Sequence, residues 1–444
     1  MFLLHARPES PLSPSLRSQF LALLFLVAPV AAAAPGALEK YVAAPDNTFN
    51  WSIRETRALD NGQTAAHVEM TSQTWRGHVW THHMQIVRAK DVRNPHIALV
   101  FVTGDGDGKR NLPMLQLWAE RAGAIAACVT RVPNQPLYDG RKEDALIAFT
   151  FDNYLKDGDD SWPLLFPMAK SAVRAMDAVA AWAKQEHKQA VDSFVVSGAS
   201  KRGWTTWLTA AVDARVKAIA PMVIDMLNMK VQTDWTLKCY GKQSEQIRDY
   251  TDLGLVDRME DARMKEIRGW VDPFSYRARY TMPKLILLGT NDRYWTVDAL
   301  RHYFHDLPGP KLIYQTPNAG HNLNGGADAA NTLASFFQLI ADKKPLPTLD
   351  WKFNGDGKVN VTVKCSQAAK SIRLWTATSA DRDFRDDQWN SRDLEVKPGS
   401  ASATAEVSAP EKGFRAYLAE VELVSPTGHT WKLSTEARVT PDFK

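Results

Sequence analysis

The sequence predicts an α/β fold in which a mostly parallel sheet carries helices on both faces, followed by an all-β C-terminal part. Three observations lead to this prediction. Short apolar runs alternate with helical patterns through the middle of the chain, the alternation stops over 226–281, and no helical period persists beyond about residue 347. Strands that alternate with helices form parallel βαβ units, whose strands are buried on both faces.

Six apolar runs have the length and composition of buried strands. They are HIALVFVTG (96–104), AIAACVTRV (124–132), SFVVSGAS (193–200), KAIAPMVID (217–225), KLILLGTND (284–292) and KLIYQTPNAG (311–320). Apolar residues recur at helical intervals over 168–182, and further helices are predicted directly after Ser200 and over 327–341. Alternating residues between about 41 and 90 predict edge strands that open the sheet.

The segment 226–281 separates two predicted strands by far more residues than a compact connection needs. Long connections of this kind are usually functional, so we expect a lid over the carboxyl edge of the sheet, although a helical excursion that never touches substrate is an alternative. The proline-containing stretch KKPLPTLDW marks a boundary, and the strand-like segments after it are typical of a β-sandwich. We therefore expect an α/β domain over 38–343 and a sandwich-like domain over 347–444.

The first 34 residues have the layout of a secretory signal peptide. Arg7 and Arg17 precede an apolar run over 20–30, and small residues follow at 31–34. The apolar run is shorter than the roughly 20 residues that span a bilayer, so we expect cleavage and no stable membrane anchor afterwards. The mature protein is expected to be secreted or periplasmic.

The composition excludes some classes of partner and leaves others open. The net charge is +4, and no basic run suggests a track for nucleic acid. Three cysteines, Cys128, Cys239 and Cys365, are too few for a disulfide framework, allow one bridge at most and lack metal-ligand spacing. The adjacent His82 and His83 lie in an alternating strand, which makes a metal role improbable. The 15 tryptophans either fill the core or form platforms for sugar rings.

The chemistry is centred on VVSGASKRG (195–203), where a strand runs through Ser200 into a helix. This arrangement is a nucleophile elbow, a sharp turn that bulky neighbours would obstruct, and it explains Gly198 and Gly203. Arg202 occupies the place of the second glycine in the common Gly-x-Ser-x-Gly pattern, and Gly203 comes one residue later. Ser200 is the predicted nucleophile.

Two partners for the serine follow from chain order and position. Asp292 and His321 end successive predicted strands, and the carboxyl ends of parallel strands meet in one crevice. The histidine would take the serine proton, and the carboxylate would fix the tautomer of the imidazole. Asp225, at the end of the preceding strand, competes with Asp292 for the second role.

The remaining candidate site residues stabilise or contact the substrate. An oxyanion hole is expected from the N–H of Lys201 and from the Gly104–Asp105 loop after the first parallel strand. Arg202 either binds an anionic substrate or forms an ion pair within the fold. Trp235 in the predicted lid and Trp162 in a long loop, which also carries Glu143 and Asp144, are candidates for substrate contact.

The segment GASKRGWTTWLTAAVDARVKAIAPMVIDMLN, with the LLGTND and AGHN strand endings, resembles the PhoPQ-activated pathogenicity-related proteins. This resemblance covers most of the chain after the leader and implies an exported α/β-hydrolase fold with the triad Ser200, Asp292 and His321. It implies no substrate. The elbow alone, with a basic residue after the serine, is also similar to that of glucuronoyl esterases, in which this side chain helps to hold the oxyanion.

The sequence therefore predicts an exported serine hydrolase that cleaves an ester or amide through an acyl-serine intermediate, without metal or organic cofactor. Its partners are expected to be a small-molecule, peptide or carbohydrate substrate, and the tryptophan-rich segments weakly favour a carbohydrate. The alternative is a non-catalytic secreted binding or signalling protein that keeps the hydrolase fold.

Overall fold

The computed structural model describes residues 36–396 and 401–443, and the predicted signal peptide lies outside the described residues. A nine-stranded sheet forms its centre. The strands are β1 (Asn50–Ala58), β2 (Thr64–Trp75), β3 (His78–Arg88), β4 (Ile97–Val102), β5 (Ile125–Val129), β6 (Ser193–Ala199), β7 (Val216–Met222), β8 (Lys284–Gly289) and β9 (Lys311–Thr316).

The strand order is β1-β2-β3-β5-β4-β6-β7-β8-β9. Strands β1, β2, β3 and β5 pair antiparallel, whereas β5, β4 and β6 to β9 pair in parallel. Each of the six predicted apolar runs contains one parallel strand, and the predicted edge strands correspond to β1 to β3. The predicted fold class is therefore confirmed.

Helices cover both faces of this sheet. They are α1 (Ala37–Ala43), α2 (Leu112–Ala122), α3 (Glu143–Asp157), α4 (Leu165–His187), α5 (Lys201–Val212), α6 (Met229–Tyr240), α7 (Arg248–Thr251), α8 (Ala262–Val271) and α9 (Ala327–Ala341). Successive residues of β4 show the two faces: Val100 belongs to the core formed with α3, α4 and α5, and Leu99 to the core formed with α2 and α9. None of the helices in the described ranges is long and apolar enough to cross a membrane.

The long segment between β7 and β8 folds as a helical insertion. It contains α6, α7, α8 and a 3-10 turn over Pro273–Arg279. The Asp272 carboxylate accepts hydrogen bonds from the backbone N–H groups of Asn228, Met229 and Phe274, at 2.8 to 3.1 Å. One carboxylate thus ties the start of α6 to the start of the 3-10 turn, because helix N-termini present unpaired donors.

The C-terminal strands form two further antiparallel sheets, one ordered β10-β11-β14 and the other β13-β12-β15-β16 with β17 paired to β15. These strands are β10 (Leu349–Asn354), β11 (Lys358–Cys365), β12 (Ser371–Ser379), β13 (Asn390–Asp393), β14 (Ser402–Ser408), β15 (Phe414–Val424), β16 (Thr430–Ser434) and β17 (Arg438–Thr440).

The C-terminal sheets share a hydrophobic core with the α/β part. Phe336 and Phe337 of α9 belong to the same buried cluster as Leu374 of β12 and Leu433 of β16. The chain from Gly36 onward forms one compact unit, and the expected boundary lies between the end of α9 and the start of β10. The limits of the two domains stay a prediction.

Candidate active site

Ser200 lies on a strained turn between β6 and α5. Its backbone has φ +58° and ψ −125°, a conformation that side-chain-bearing residues rarely adopt. Its N–H donates to the carbonyl of Met222 at 2.9 Å, and its carbonyl accepts from the N–H of Trp204 at 3.0 Å. These bonds hold the turn between β7 and the first turn of α5, which is the geometry of a nucleophile elbow.

Gly203 explains why the second glycine of the elbow comes one residue later than usual. A Cβ at this position would lie 2.7 Å from Cγ2 of Ile224 and 2.8 Å from the carbonyl oxygen of Met222. The first turn of α5 therefore packs directly against the end of β7, and no side chain fits between them.

Asp292 and His321 come together at the carboxyl edge of the sheet. Nδ1 of His321 lies 2.8 Å from Oδ2 of Asp292, while Oδ1 of Asp292 accepts from the N–H of Tyr294 at 3.0 Å. Asp225 is engaged elsewhere, because the Tyr303 hydroxyl donates to it at 2.7 Å and burial raises the pKa of its carboxyl group to about 8. Asp292 is therefore the carboxylate that contacts the histidine.

The other side of the imidazole is accessible. The His321 side chain is 31% exposed, and the ring of Tyr294 packs on it with centroids 4.5 Å apart. Among the described residues, no hydrogen bond within 3.5 Å joins the Ser200 hydroxyl to His321. Such bonds are often long in free enzymes and shorten when substrate binds, so the predicted contact between serine and histidine stays a prediction.

A cavity of about 110 Å³ lies beside Ser200. One wall comes from the sheet and α5, including Trp204 and Ile224, and the opposite wall comes from the insertion. Met229 of α6, Tyr250 of α7 and Ile267 of α8 all line it. The insertion therefore closes over the nucleophile.

Four charged side chains next to the elbow form a cluster that we call the nucleophile network: Glu143, Asp144, Lys201 and Arg202. Nζ of Lys201 lies 2.8 Å from Asp144 and 3.4 Å from Glu143, and both terminal nitrogens of Arg202 lie 2.7 Å from Glu143. Burial disfavours the charged form of Glu143, but the Arg202 hydrogen bonds outweigh burial and lower its pKa to about 2. Both cations are paired within the fold.

The chain matches the family model of the PhoPQ-activated pathogenicity-related protein over residues 38–385. It belongs to this family. Autocrine proliferation repressor protein A of Dictyostelium discoideum is 31% identical over 468 residues, which cover 95% of this chain and 94% of that protein.

Two solved structures are similar in shape at low identity. Acetyl xylan esterase 1 from Thermoanaerobacterium sp. has a TM-score of 0.48 at 18% identity, covering 69% of this chain and 91% of its own. The S-formylglutathione hydrolase from Agrobacterium tumefaciens has a TM-score of 0.45 at 11% identity, covering 66% of this chain and 100% of its own. We assign the α/β-hydrolase fold to this member of the PhoPQ-activated pathogenicity-related family from its own strand order and elbow.

The predicted oxyanion donors lie at the same edge as the elbow. Lys201 is the first residue of α5, where a backbone N–H has no partner within the helix. Gly104 contacts the nucleophile network, since a Cβ at this position would lie 2.8 Å from Nη2 of Arg202. The neighbouring Asp105 accepts a hydrogen bond from the side chain of Gln135 at 3.3 Å.

The two tryptophans predicted to contact substrate do not line the cavity beside Ser200. Trp162 lies in a separate cleft, where the guanidinium of Arg76 stacks 3.5 Å from its ring centre and Asp157 accepts from its indole N–H at 2.8 Å. The indole N–H of Trp235 donates to Asp298 at 3.0 Å. Both indoles are held in structural contacts.

Two tyrosines also belong to the site: Tyr250, which lies in the predicted lid, and Tyr294, which the sequence did not indicate. The hydroxyl of Tyr250 donates to Asp144 at 3.0 Å, and the hydroxyl of Tyr294 donates to the same carboxylate at 3.3 Å. Burial and the adjacent Asp144 raise the pKa of both phenols, so each hydroxyl keeps its proton. No local sequence signal marks either residue, because both reach Asp144 from distant parts of the chain.

The histidines of the early strands take part in hydrogen bonds. His82 contacts the Ser72 hydroxyl at 2.9 Å and the Thr130 carbonyl at 2.9 Å. Within residues 36–396 and 401–443, no group of three His, Cys, Asp or Glu side chains is arranged to hold a metal ion. The three cysteines are buried and unbridged.

Proposed function

We propose that this protein is a serine hydrolase that cleaves an ester or amide bond through an acyl-Ser200 intermediate. The observation that carries the proposal is the pairing of His321 with Asp292 at 2.8 Å, on the same sheet edge where Ser200 occupies a strained elbow beside a cavity. Backbone strain at a polar residue that faces a cavity is typical of an active site.

In the proposed reaction, the Ser200 hydroxyl attacks the substrate carbonyl carbon and gives its proton to Nε2 of His321. Asp292 stabilises the imidazolium through Nδ1, and the N–H of Lys201 and the Gly104–Asp105 loop stabilise the oxyanion. His321 then protonates the leaving group, and water releases the acyl group by the same steps. Export from the cytoplasm, as the leader predicts, is part of the proposal.

Labelling with a fluorophosphonate probe tests this function. We expect labelling at Ser200 of the wild type, none in Ser200→Ala, and a loss of about 10³-fold or more in Asp292→Asn, because the histidine would lose its tautomer and orientation. Asp225→Asn is the matched control and should keep the labelling. Absence of labelling in folded wild-type protein would contradict the proposal.

A second candidate function is a secreted signalling protein that keeps the fold without catalysis. The name of the Dictyostelium discoideum relative, a repressor of proliferation, favours it. The Ser200→Ala variant separates the two: a signalling protein would keep its effect on cells without the nucleophile, whereas an enzyme would lose its activity.

A further inference from the structure

The wall of the cavity beside Ser200 combines flexible and branched aliphatic side chains with five aromatic ones, Phe151, Trp204, Tyr250, Tyr294 and Trp295. Residues of the insertion supply most of it, and the buried ones include Met226, Leu255, Met259, Met264, Ile267 and Val271. Methionine adapts its shape to a flexible apolar partner better than a branched side chain does. The surface that these residues present to the cavity is almost wholly apolar.

Three of the polar residues in this wall direct hydrogen-bonding groups to other parts of the protein. The Gln232 amide donates to the carbonyls of Leu227 and Ala299, at 3.2 and 3.0 Å. The Ser244 hydroxyl donates to the carbonyl of Arg293 at 2.7 Å, and the Trp204 indole donates to the carbonyl of Val271 at 2.5 Å. These three groups are therefore not free to bind a sugar ring, which needs several donors and acceptors. Three other lining side chains, Gln243, Trp295 and Thr296, each have one buried polar atom without a hydrogen-bond partner among the described residues.

The charged groups at the mouth of the cavity are neutralised by each other. Asp144 accepts from Lys201, Tyr250 and Tyr294, so its oxygens are already occupied. Arg202 is held by Glu143 and by the carbonyl of Val132 at 2.5 Å. These groups therefore leave no free carboxylate for a substrate ammonium group. Among the described lining residues, Arg268 is a cation without an ion pair, and its guanidinium donates to the carbonyl of Met259 at 2.8 Å.

The position of His321 indicates which half of the substrate enters the cavity. The leaving group must receive its proton from this histidine, and the imidazole is 31% exposed and outside the described cavity wall. The leaving group therefore lies on the solvent side. The acyl group, which stays bound to Ser200 after the first step, is the part that the closed side of the site can hold.

We propose that the cavity binds the acyl group of the substrate and selects a flexible, unbranched aliphatic chain. This inference rests on the proposed function of Ser200 and adds the substrate class. It differs from the carbohydrate preference drawn from the tryptophans. Five of these, Trp75, Trp80, Trp118, Trp182 and Trp207, are buried in the core, while Trp204 and Trp295 line the almost wholly apolar cavity.

Hydrolysis of p-nitrophenyl esters with acetyl, butyryl, octanoyl and lauroyl groups tests the inference. We expect kcat/KM to rise about fourfold for each methylene group that the cavity buries, and then to level off. Met264→Trp should lower the ratio of octanoyl to acetyl hydrolysis by about tenfold or more by filling the cavity. Met259→Ala should enlarge the cavity and so move the preference to a longer acyl chain. This variant tests the inference even if Met264→Trp fails to fold.

Met176→Ala is the matched control, because Met176 is equally buried but lies in α4 away from the cavity. It should lower stability without changing the chain-length profile. Wild-type protein that is labelled at Ser200 but hydrolyses acetyl, aminoacyl or uronic-acid substrates as well as octanoyl esters would overturn the acyl-chain inference alone. If the folded wild-type protein shows neither labelling at Ser200 nor turnover of any of these substrates, the proposed function is overturned and the inference with it.

Discussion

Two partly buried ion-pair clusters in this protein have similar chemistry and different settings. The nucleophile network lies beside Ser200. A second cluster, which we call the tail network, consists of Asp298, Arg301, Arg382 and Asp442, in which Arg382 lies 3.0 Å from Asp298 and 2.9 Å from Asp442. Arg301 joins the same two carboxylates, at 3.1 and 2.7 Å.

The tail network connects the insertion to the C-terminal strands. The ring of Trp235 on α6 lies under both arginines, with guanidinium carbons 4.7 and 4.8 Å from its centre. Nothing in this cluster lines the described cavity beside Ser200. Position, and not composition, therefore separates the charged residues that hold the fold from those that shape the site.

The largest expected effect is on stability, in the tail network. Arg382→Ala should lower the free energy of unfolding by about 2–3 kcal/mol, because it removes one of the two cations that neutralise the fully buried Asp298 and leaves Arg301 as the other. Urea unfolding measures the change, and labelling of Ser200 per folded molecule should stay constant. Arg54→Ala, which breaks the exposed pair with Glu69, is the control and should cost less than about 1 kcal/mol. If folded Arg382→Ala lost its labelling at Ser200, the tail network would also shape the active site, and the two clusters would not differ in role.

The next effect is on activity, in the nucleophile network. Glu143→Gln removes the carboxylate that holds Arg202 against Gly104, so the labelling rate should fall by about tenfold through misplacement of the oxyanion loop. Asp139→Asn, in an exposed ion pair with Arg141, should leave the rate unchanged. If Glu143→Gln and Asp139→Asn were labelled at equal rates, the nucleophile network would stabilise the fold without positioning the oxyanion loop.

A smaller effect is expected at the two tyrosines. Tyr294→Phe and Tyr250→Phe each remove one hydrogen bond to Asp144, worth about 1 kcal/mol or a few-fold in labelling rate. Tyr294→Ala should have a larger effect than Tyr250→Ala, because Tyr294 also packs on His321. The reverse order in labelling kinetics would rule out a positioning role for the Tyr294 ring.

The smallest effect concerns acid sensitivity. The pKa of Glu143 falls from its ordinary value of 4.5 to about 2 in the folded state, so its charged form stabilises the fold above about pH 4.5. This stabilisation is lost as the pH falls toward 2, because the unfolded chain takes up the proton first. Glu143→Gln should therefore show a shallower decline of Tm over this window than the wild type. If Tm declined equally steeply with pH in the two proteins, the lowered pKa of Glu143 would be contradicted.

Much of the fold follows from local sequence patterns. The parallel strands, α5 and α9 were predictable because buried strands and amphipathic helices carry their periodicity within one segment. The short helix α1 was missed, since the seven residues Ala37–Ala43 hold less than two turns of pattern before the predicted edge strands. Strand β13 was missed as well, because its four residues are all exposed and show no alternation.

The parallel sheet, the elbow at Ser200 and the strand ends that carry Asp292 and His321 can be predicted from the sequence, because each of these is a local pattern. The choice of aspartate for the histidine, the pairing of Lys201 and Arg202 and the apolar character of the cavity arise only when the chain is folded. Tyr294 and Asp144 are 150 residues apart, and Lys201 and Asp144 are 57 apart. Contacts over such separations depend on how the elements pack together, so no segment of the sequence records them.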